Sequence, residues 1–309
     1  MLCNRPPQRA VPRFLAAALL TAPLTAAAGG FGEPATGYQL FSFGGTSIQN
    51  TQPDGAVASG GPFTAYNASI GSGLSGSGSV ISAAGRVHLS SGTYQNGDIY
   101  AGGGADIEPH AHLHRARLRE RPPAIDFRSA ADRFAALSAE LAGRPATGET
   151  FVFPWGGVEL RGLVDGMNVF VLTEAQYERS NGIAVPDFDP QRHTVIVNVR
   201  GADIVRGYNG SVFVDRINAD TTYERLADNG DLSRHRRLLW NFPDATRLVS
   251  RNSIHGAVLA PHARLTHENG RLIGQAVVAE LDLKNAARLA DANFTGRLTD
   301  ETTVFYTYD

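Results

Sequence analysis

Two short apolar runs, each entered through a glycine, stand out in segment 238–279: Gly256-Ala-Val-Leu-Ala260 and Gly274-Gln-Ala-Val-Val-Ala279, roughly eighteen residues apart. Polar residues and the turn dipeptide Asn269-Gly270 separate them. The same pattern recurs nearer the N-terminus at Gly55-Ala-Val-Ala58, Gly78-Ser-Val-Ile-Ser82 and Gly97-Asp-Ile-Tyr-Ala101, at intervals of about twenty residues. Strand-like runs at such a period, with turn residues at the joints, predict the coils of a β-solenoid with Val57, Val80, Ile99 and Val258 on its inward rungs. Coils of this length suit three short strands joined by tight bends, where glycine accepts positive φ without steric cost.

Other elements fit around that frame. Tyr38-Gln-Leu-Phe-Ser-Phe43 alternates like a half-buried strand. Segment 71–79 (GSGLSGSGS) has linker composition but lies between strand-like runs, so it reads as a long bend and not as a domain boundary. Asp126 can cap a helix over about 126–142, whose apolar stripe is Phe127, Ala130, Ala131, Phe134, Leu137 and Leu141. Arg128, Asp132, Arg133 and Glu140 fall on its other side, and Gly143 and Pro145 stop it. A lone amphipathic helix in a strand-rich chain must bury its stripe on a sheet.

Strands resume at Val158-Glu-Leu160 and Met167-Asn-Val-Phe-Val-Leu172, and Thr173-Glu-Ala-Gln176 is a capping box opening a short helix. The nearly continuous β-branched run Thr194-Val-Ile-Val-Asn-Val199 implies a strand buried on both faces. Asn209-Gly210 turns the chain into Ser211-Val-Phe-Val214, and the charged stretch 215–235 reads as an excursion from the core. The expected architecture is mainly β: a right-handed parallel β-helix with one α-helix packed along its flank.

Composition narrows the class. A net charge of −2 and an isoelectric point near 6.5 argue against nucleic acid as a partner, because binding phosphates takes a basic surface. Arg5, Arg9 and Arg13 precede the apolar stretch 14–28, and Ala26-Ala-Ala28 supplies a small-residue cleavage pattern. The stretch is short of the roughly 20 residues a membrane span needs, and Pro23 interrupts it. Residues 1–28 therefore read as a signal peptide and 29–309 as one exported domain without a transmembrane segment. Cys3, the only cysteine, lies in the removed segment, so the mature chain would have no disulfide, thiolate metal site or cysteine nucleophile. No apolar tail or sorting pattern is visible in 302–309.

Candidate chemistry is sparse. His110, His112 and His114 alternate along one strand face, a spacing able to bind zinc or copper, and Asp106 and Glu108 extend the alternation up to Pro109. The preferred reading is a polar outer face leading into the basic run Arg115-Ala-Arg-Leu-Arg119. Asp215, Asp220, Glu224, Asp228 and Asp231 could ligate calcium but lack the spacing of an EF-hand loop, so a solvated loop is preferred. Asp187 and Asp189 near His193 could form an acid/base cluster, although Pro186-Asp-Phe-Asp-Pro190 has the character of a loop between strands. Asn67, Asn209 and Asn293 begin glycosylation sequons. With no G-x-S-x-G, Walker loop or H-E-x-x-H, no catalytic residue, metal site or cofactor is assigned.

The chain resembles the choice-of-anchor A family of secreted bacterial proteins, an adhesive domain. The resemblance rests on Tyr38-Gln-Leu-Phe-Ser-Phe-Gly44 followed by Gly55-Ala-Val-Ala-Ser-Gly-Gly61, Tyr94-Gln-Asn-Gly-Asp-Ile-Tyr-Ala-Gly-Gly103, Ile125-Asp-Phe127 and Met167-Asn-Val-Phe-Val-Leu-Thr173. Its most specific part is Leu239-Trp-Asn-Phe-Pro-Asp-Ala-Thr246 running into the two C-terminal rungs. That C-terminal part is also similar in pattern to ice-binding-like adhesins. The resemblance implies a β-solenoid with a helix alongside and a non-catalytic adhesive or structural module, secreted or at the cell surface. Its partner would be an unidentified surface, glycan or matrix ligand. The family is named for diverse C-terminal anchors, and none is visible here.

Two rival expectations remain. A β-helix polysaccharide lyase or hydrolase would stack carboxylates on successive coils, yet Val57, Val80, Ile99 and Val258 hold the matching positions. An ice-binding face would stack Thr or small polar residues, whereas the positions expected to face outward include Arg264, His267 and Arg271.

Overall fold

The computed structural model describes residues 30–298, apart from 77, 209, 214–230 and 287. The expected signal peptide at 1–28, the 302–309 tail, the sequon at Asn209 and all of the acidic stretch except Asp231 lie outside the described residues. The described chain is mainly β, with one large sheet of parallel strands and few helices.

Glycine-led runs at a fixed period put equivalent apolar residues in register. One inward row carries Phe170, Val197, Trp240, Val258, Ala276, Leu40, Val57, Ile81, Ile99 and Leu118 on successive paired strands. All of these but Leu118 are buried. The row takes Ile81 where the sequence suggested Val80: the register shifts between Ser79 and Ile81, and Val80 is buried beside the row. Gly274, at φ 155, packs so tightly on the backbone of Gly256 that a Cβ would collide with it, which explains the glycine at the head of that rung.

The order of the rungs departs from the order of the chain. Ala276–Lys284 pairs with Ala257–Glu268 on one side and with Tyr38–Ser42 and Thr46–Gln49 on the other. The stack thus begins in its middle and grows from Tyr38–Ser42 through Ala56–Ser59, Ser79–Ala83 and Val87–Ala101 to Ala105–Arg119 at one end. After a helix, the chain restarts at the other end with Gly166–Thr173 and grows back through His193–Arg200 and Leu238–Asn241 to the first strands. Pairing the first strand with Ala276–Lys284 removes two exposed edges from the middle of the molecule.

The helix that makes the return, α1 (Phe127–Gly143), is capped by Asp126, whose carboxylate accepts from the Ser129 amide at 3.0 Å. At 1.5 Å per residue its 17 residues reach about 26 Å, the height of about six rungs at 4.8 Å spacing. Its buried residues are Phe127, Ala130, Phe134, Ser138 and Leu141, while Ala131 and Leu137 of the expected stripe are half-buried. They pack on Ala58, Phe41, Val277, Leu259, Leu239 and Ile196, one or more from each of six rungs. This second core explains why Tyr38–Ser42, expected to be half-buried, is covered on both faces. Ser138 belongs to the buried face because its hydroxyl donates to Asn241 Oδ1 at 2.5 Å. Asn241 in turn donates to Asn198 Oδ1 at 2.7 Å, and Asn198 donates to the Leu141 carbonyl at 2.9 Å. These bonds join Ser138, Asn241 and Asn198 into a buried polar seam between helix and rungs.

A smaller sheet lies beyond the first rungs of the second half. Glu149–Val152 and Gly157–Arg161 form an antiparallel hairpin, and Gly182–Ala184 and Val212–Phe213 add parallel strands. Between the two sheets, α2 (Glu174–Arg179) opens with the expected Thr173 and Gln176 capping box. Among the described residues no helix is long and apolar enough to cross a membrane.

Candidate functional site

Residues with outward side chains form columns on the long parallel face that runs from Asp203–Arg206 to Ala105–Arg119. One column is Val205, Val249, Thr266, Asp282, Ser47, Thr64, His88 and Asp106. Beside it run Asp203, Arg247, Arg264 and Glu280. At 4.8 Å per rung, eight rungs make a face about 34 Å long.

Charges on this face are interlocked across rungs. Arg264 reaches Asp282 at 3.4 Å and Glu280 at 3.7 Å on the next rung, where Lys284 of the same strand also holds Asp282 at 2.9 Å. Asp203 pairs with Arg247, Arg251 with Glu268 at 3.0 Å, and His88 with Asp106 at 3.2 Å. Each exposed pair contributes at most about 1 kcal/mol, so their main effect is to fix charge positions on a rigid sheet. Of the three residues expected to point outward here, Arg264 is exposed and Arg271 half-buried, but His267 is buried. His267 lies in the inward column between Ser250 and Leu283, because side chains alternate and Leu265 and Thr266 fix the phase.

His110, His112 and His114 are exposed on Ala105–Arg119, at the end of the stack. Alternate positions on one strand stand about 7 Å apart. No group of three or more His, Cys, Asp or Glu that could hold a metal ion occurs among the described residues. Pro109 does not end the strand as expected: it sits at a register shift between the Leu89 and Ser91 pairings, on an edge strand where a missing N–H costs nothing.

The structure does gather Asp187 and His193. They line a cleft of about 310 Å³ with Arg161, Leu163 and Arg192, between the hairpin and the loop before His193–Arg200. Asp189 serves the loop, its carboxylate accepting from the Gln191 amide at 2.9 Å. His193 is buried, its Nδ1 accepts from the Asp189 amide at 3.1 Å, and its Nε2 is 3.9 Å from Asp165. That separation is beyond hydrogen-bond reach, so Asp165 does not orient the imidazole as a base. Arg161 and Arg192 were not singled out from the sequence; the alternating Phe151, Phe153 and Trp155 just upstream were the available signal.

A third polar cluster is wholly internal. Trp240 donates to the His255 carbonyl at 2.7 Å, His235 and His255 share a 3.2 Å contact, and the buried Arg206 lies 4.6 Å over the Tyr177 ring. His235, at the end of the charged stretch, is buried, while Asp231 is exposed and 232–234 are half-buried. Burial first, then the charge His255 would carry, pushes the His235 pKa down to about 3.

Residues 31–288 match the family described as "Putative Ice-binding-like adhesive domain", which covers the repeat, the helix and both sheets. The chain belongs to this family. The family assignment therefore stands at the level of an ice-binding-like adhesive domain. No curated protein matches the chain. Two solved structures are similar. A glycosylated ice-binding protein from an Arctic yeast is 9% identical, with 87% of this chain and 96% of that one covered and a TM-score of 0.38. The Shewanella frigidimarina ice-binding protein 1 domain is 11% identical, covering 82% and 94%, with a TM-score of 0.34.

Proposed function

We propose that this chain is a non-catalytic adhesive module, exported by a bacterium through the signal peptide at 1–28, that binds an extended polar polymer or another surface through its long parallel face. In this reading the paired strands wind as a right-handed β-helix and the domain is of the choice-of-anchor A type. The observation that carries it is the eight-rung outward face with its cross-rung ion pairs. A rigid, polar, charge-patterned strip offers repeated contacts to a long hydrated chain.

The same observation weighs against ice. A lattice match needs one kind of small group at each repeat, and here Asp282 is sunk beneath Arg264 and Lys284 while Val249 and His88 share its column. A pull-down of the mature chain against a panel of glycans and matrix proteins, run beside thermal hysteresis, separates the readings. Retention on a polymer without hysteresis supports adhesion. Clear hysteresis promotes ice binding instead, and turnover of a polysaccharide without retention promotes an enzyme.

A further inference from the structure

The cleft between the hairpin and the loop before His193–Arg200 is built differently from the long face, and nothing in the adhesive reading uses it. Its lining includes two arginines, Arg161 and Arg192, and one acidic residue, Asp187. The carboxylates that hold the arginines, Glu159 at 2.8 Å from Arg161 and Asp165 at 2.6 Å from Arg192, are not part of the lining. Arg161 spends its Nε on Glu159 and lies 3.8 Å over the Phe151 ring. Its Nη atoms have no protein acceptor among the described residues. His193 accepts at Nδ1, so its neutral ring carries the proton on Nε2 and adds a donor.

An aromatic strip leads away from Arg161. Phe151 meets Phe153 edge-on at 4.8 Å, and Phe153 stacks on Trp155 at 5.2 Å and 22°. Trp155 remains 49% exposed. Its position is fixed: the ring covers Gly157, where a Cβ would collide with it, and Asn181 holds the Trp155 carbonyl at 2.6 Å. Arginines at one end of an aromatic strip and an exposed indole at the other suit an extended ligand that carries carboxylates on rings with apolar faces.

We propose that this cleft and strip bind a uronate-containing polysaccharide, with a sugar carboxylate at Arg161 and Arg192 and a neighbouring sugar ring stacked on Trp155. The site does not depend on the long face, so each can fail without the other. The chain has two tryptophans, and Trp240 is only 2% exposed, so acrylamide quenching of fluorescence reports on Trp155. Titrating the mature chain with polygalacturonate, dextran and poly-glutamate tests the assignment. Polygalacturonate should protect Trp155 and bind at least tenfold more tightly than the other two, with an affinity that falls as salt is raised. Arg192→Gln, at a side chain 61% exposed, should weaken binding about tenfold or more without lowering the melting temperature. Trp155→Ala should weaken binding similarly when followed by calorimetry. Equal protection by dextran or poly-glutamate, no binding of polygalacturonate, or undiminished binding by both variants would overturn the proposal.

Discussion

Asn241 shows what single residues contribute. It sits in the outward position of its strand, between the inward Trp240 and Phe242, yet it is buried because α1 covers that face. Replacing it with alanine strands the Ser138 hydroxyl and the Asn198 carboxamide in an apolar seam. An unsatisfied buried polar group costs roughly 1–3 kcal/mol, so Asn241→Ala should lose about 2–4 kcal/mol in urea unfolding. An unchanged midpoint would mean that the seam is not closed. From the sequence, this asparagine in an apolar run was legible only as part of a family-like string, since its partners are 43 and 103 residues away.

Two histidines make stability depend on pH. Burial pushes the His267 pKa down to about 4, with a Ser250 backbone contact opposing it weakly, and that of His235 down to about 3. Unfolded imidazoles protonate near pH 6.5, so between about 6.5 and 4 the unfolded chain binds more protons than the folded one. Stability from His267 is therefore complete above about pH 6.5 and lost as pH falls toward about 4, a change on the order of 3 kcal/mol. Urea midpoints at pH 7.5 and 4.5 should show the loss. His267→Leu, at a position followed in its column by Leu283 and Ile48, should reduce the slope by about one proton; an unaltered slope would place the titrating group elsewhere.

At the scale of elements, α1 acts as a strut against six rungs. Phe134 is fully buried between Phe31, Phe41 and Phe43, with ring centroids 6.0–6.2 Å away, and Phe134→Ala should cost about 3–5 kcal/mol. Asp126→Ala removes only an exposed cap and should lower the thermal midpoint far less. If the two variants were equally mild in thermal unfolding, the helix would not be carrying the second core. The 3.6-residue period made the helix and its ends legible, because Asp126, Gly143 and Pro145 act locally. The exchange of Leu137 for Ser138 on the buried face was not legible, since it depends on where Asn241 lies across the seam. Likewise, the glycine-led runs announced the rungs, but a one-residue register shift moved Ile81 into the row expected for Val80.

On the scale of the whole molecule, the period alone could not reveal the order of the rungs. Every rung presents a similar apolar run, so chain order is the default expectation, and only three-dimensional pairing shows Ala276–Lys284 clasped between Ala257–Glu268 and the first strands. In a stack built in chain order, deleting the last rung shortens one end. Here deletion from Ala276 onward opens the middle of the main sheet and exposes two long edges, so the shortened chain should fail to fold as judged by circular dichroism. A cooperative, folded product would contradict the interlocked order.

If the long face binds a polymer, retention must depend on its charge pattern. Arg247 and Arg264 are exposed and hold neighbouring rungs' carboxylates, so reversing both leaves the buried rows intact while inverting the charge pattern. Retention of the wild-type chain and the Arg247→Glu, Arg264→Glu double variant should be compared on the polymer that captures the wild type, at low and physiological salt. Salt-sensitive retention of the wild type and a loss of at least tenfold in the variant are expected, with both proteins compared well below their melting temperatures, because the reversal also costs stability at the nearly buried Asp282. Equal retention of both proteins would contradict binding through this face.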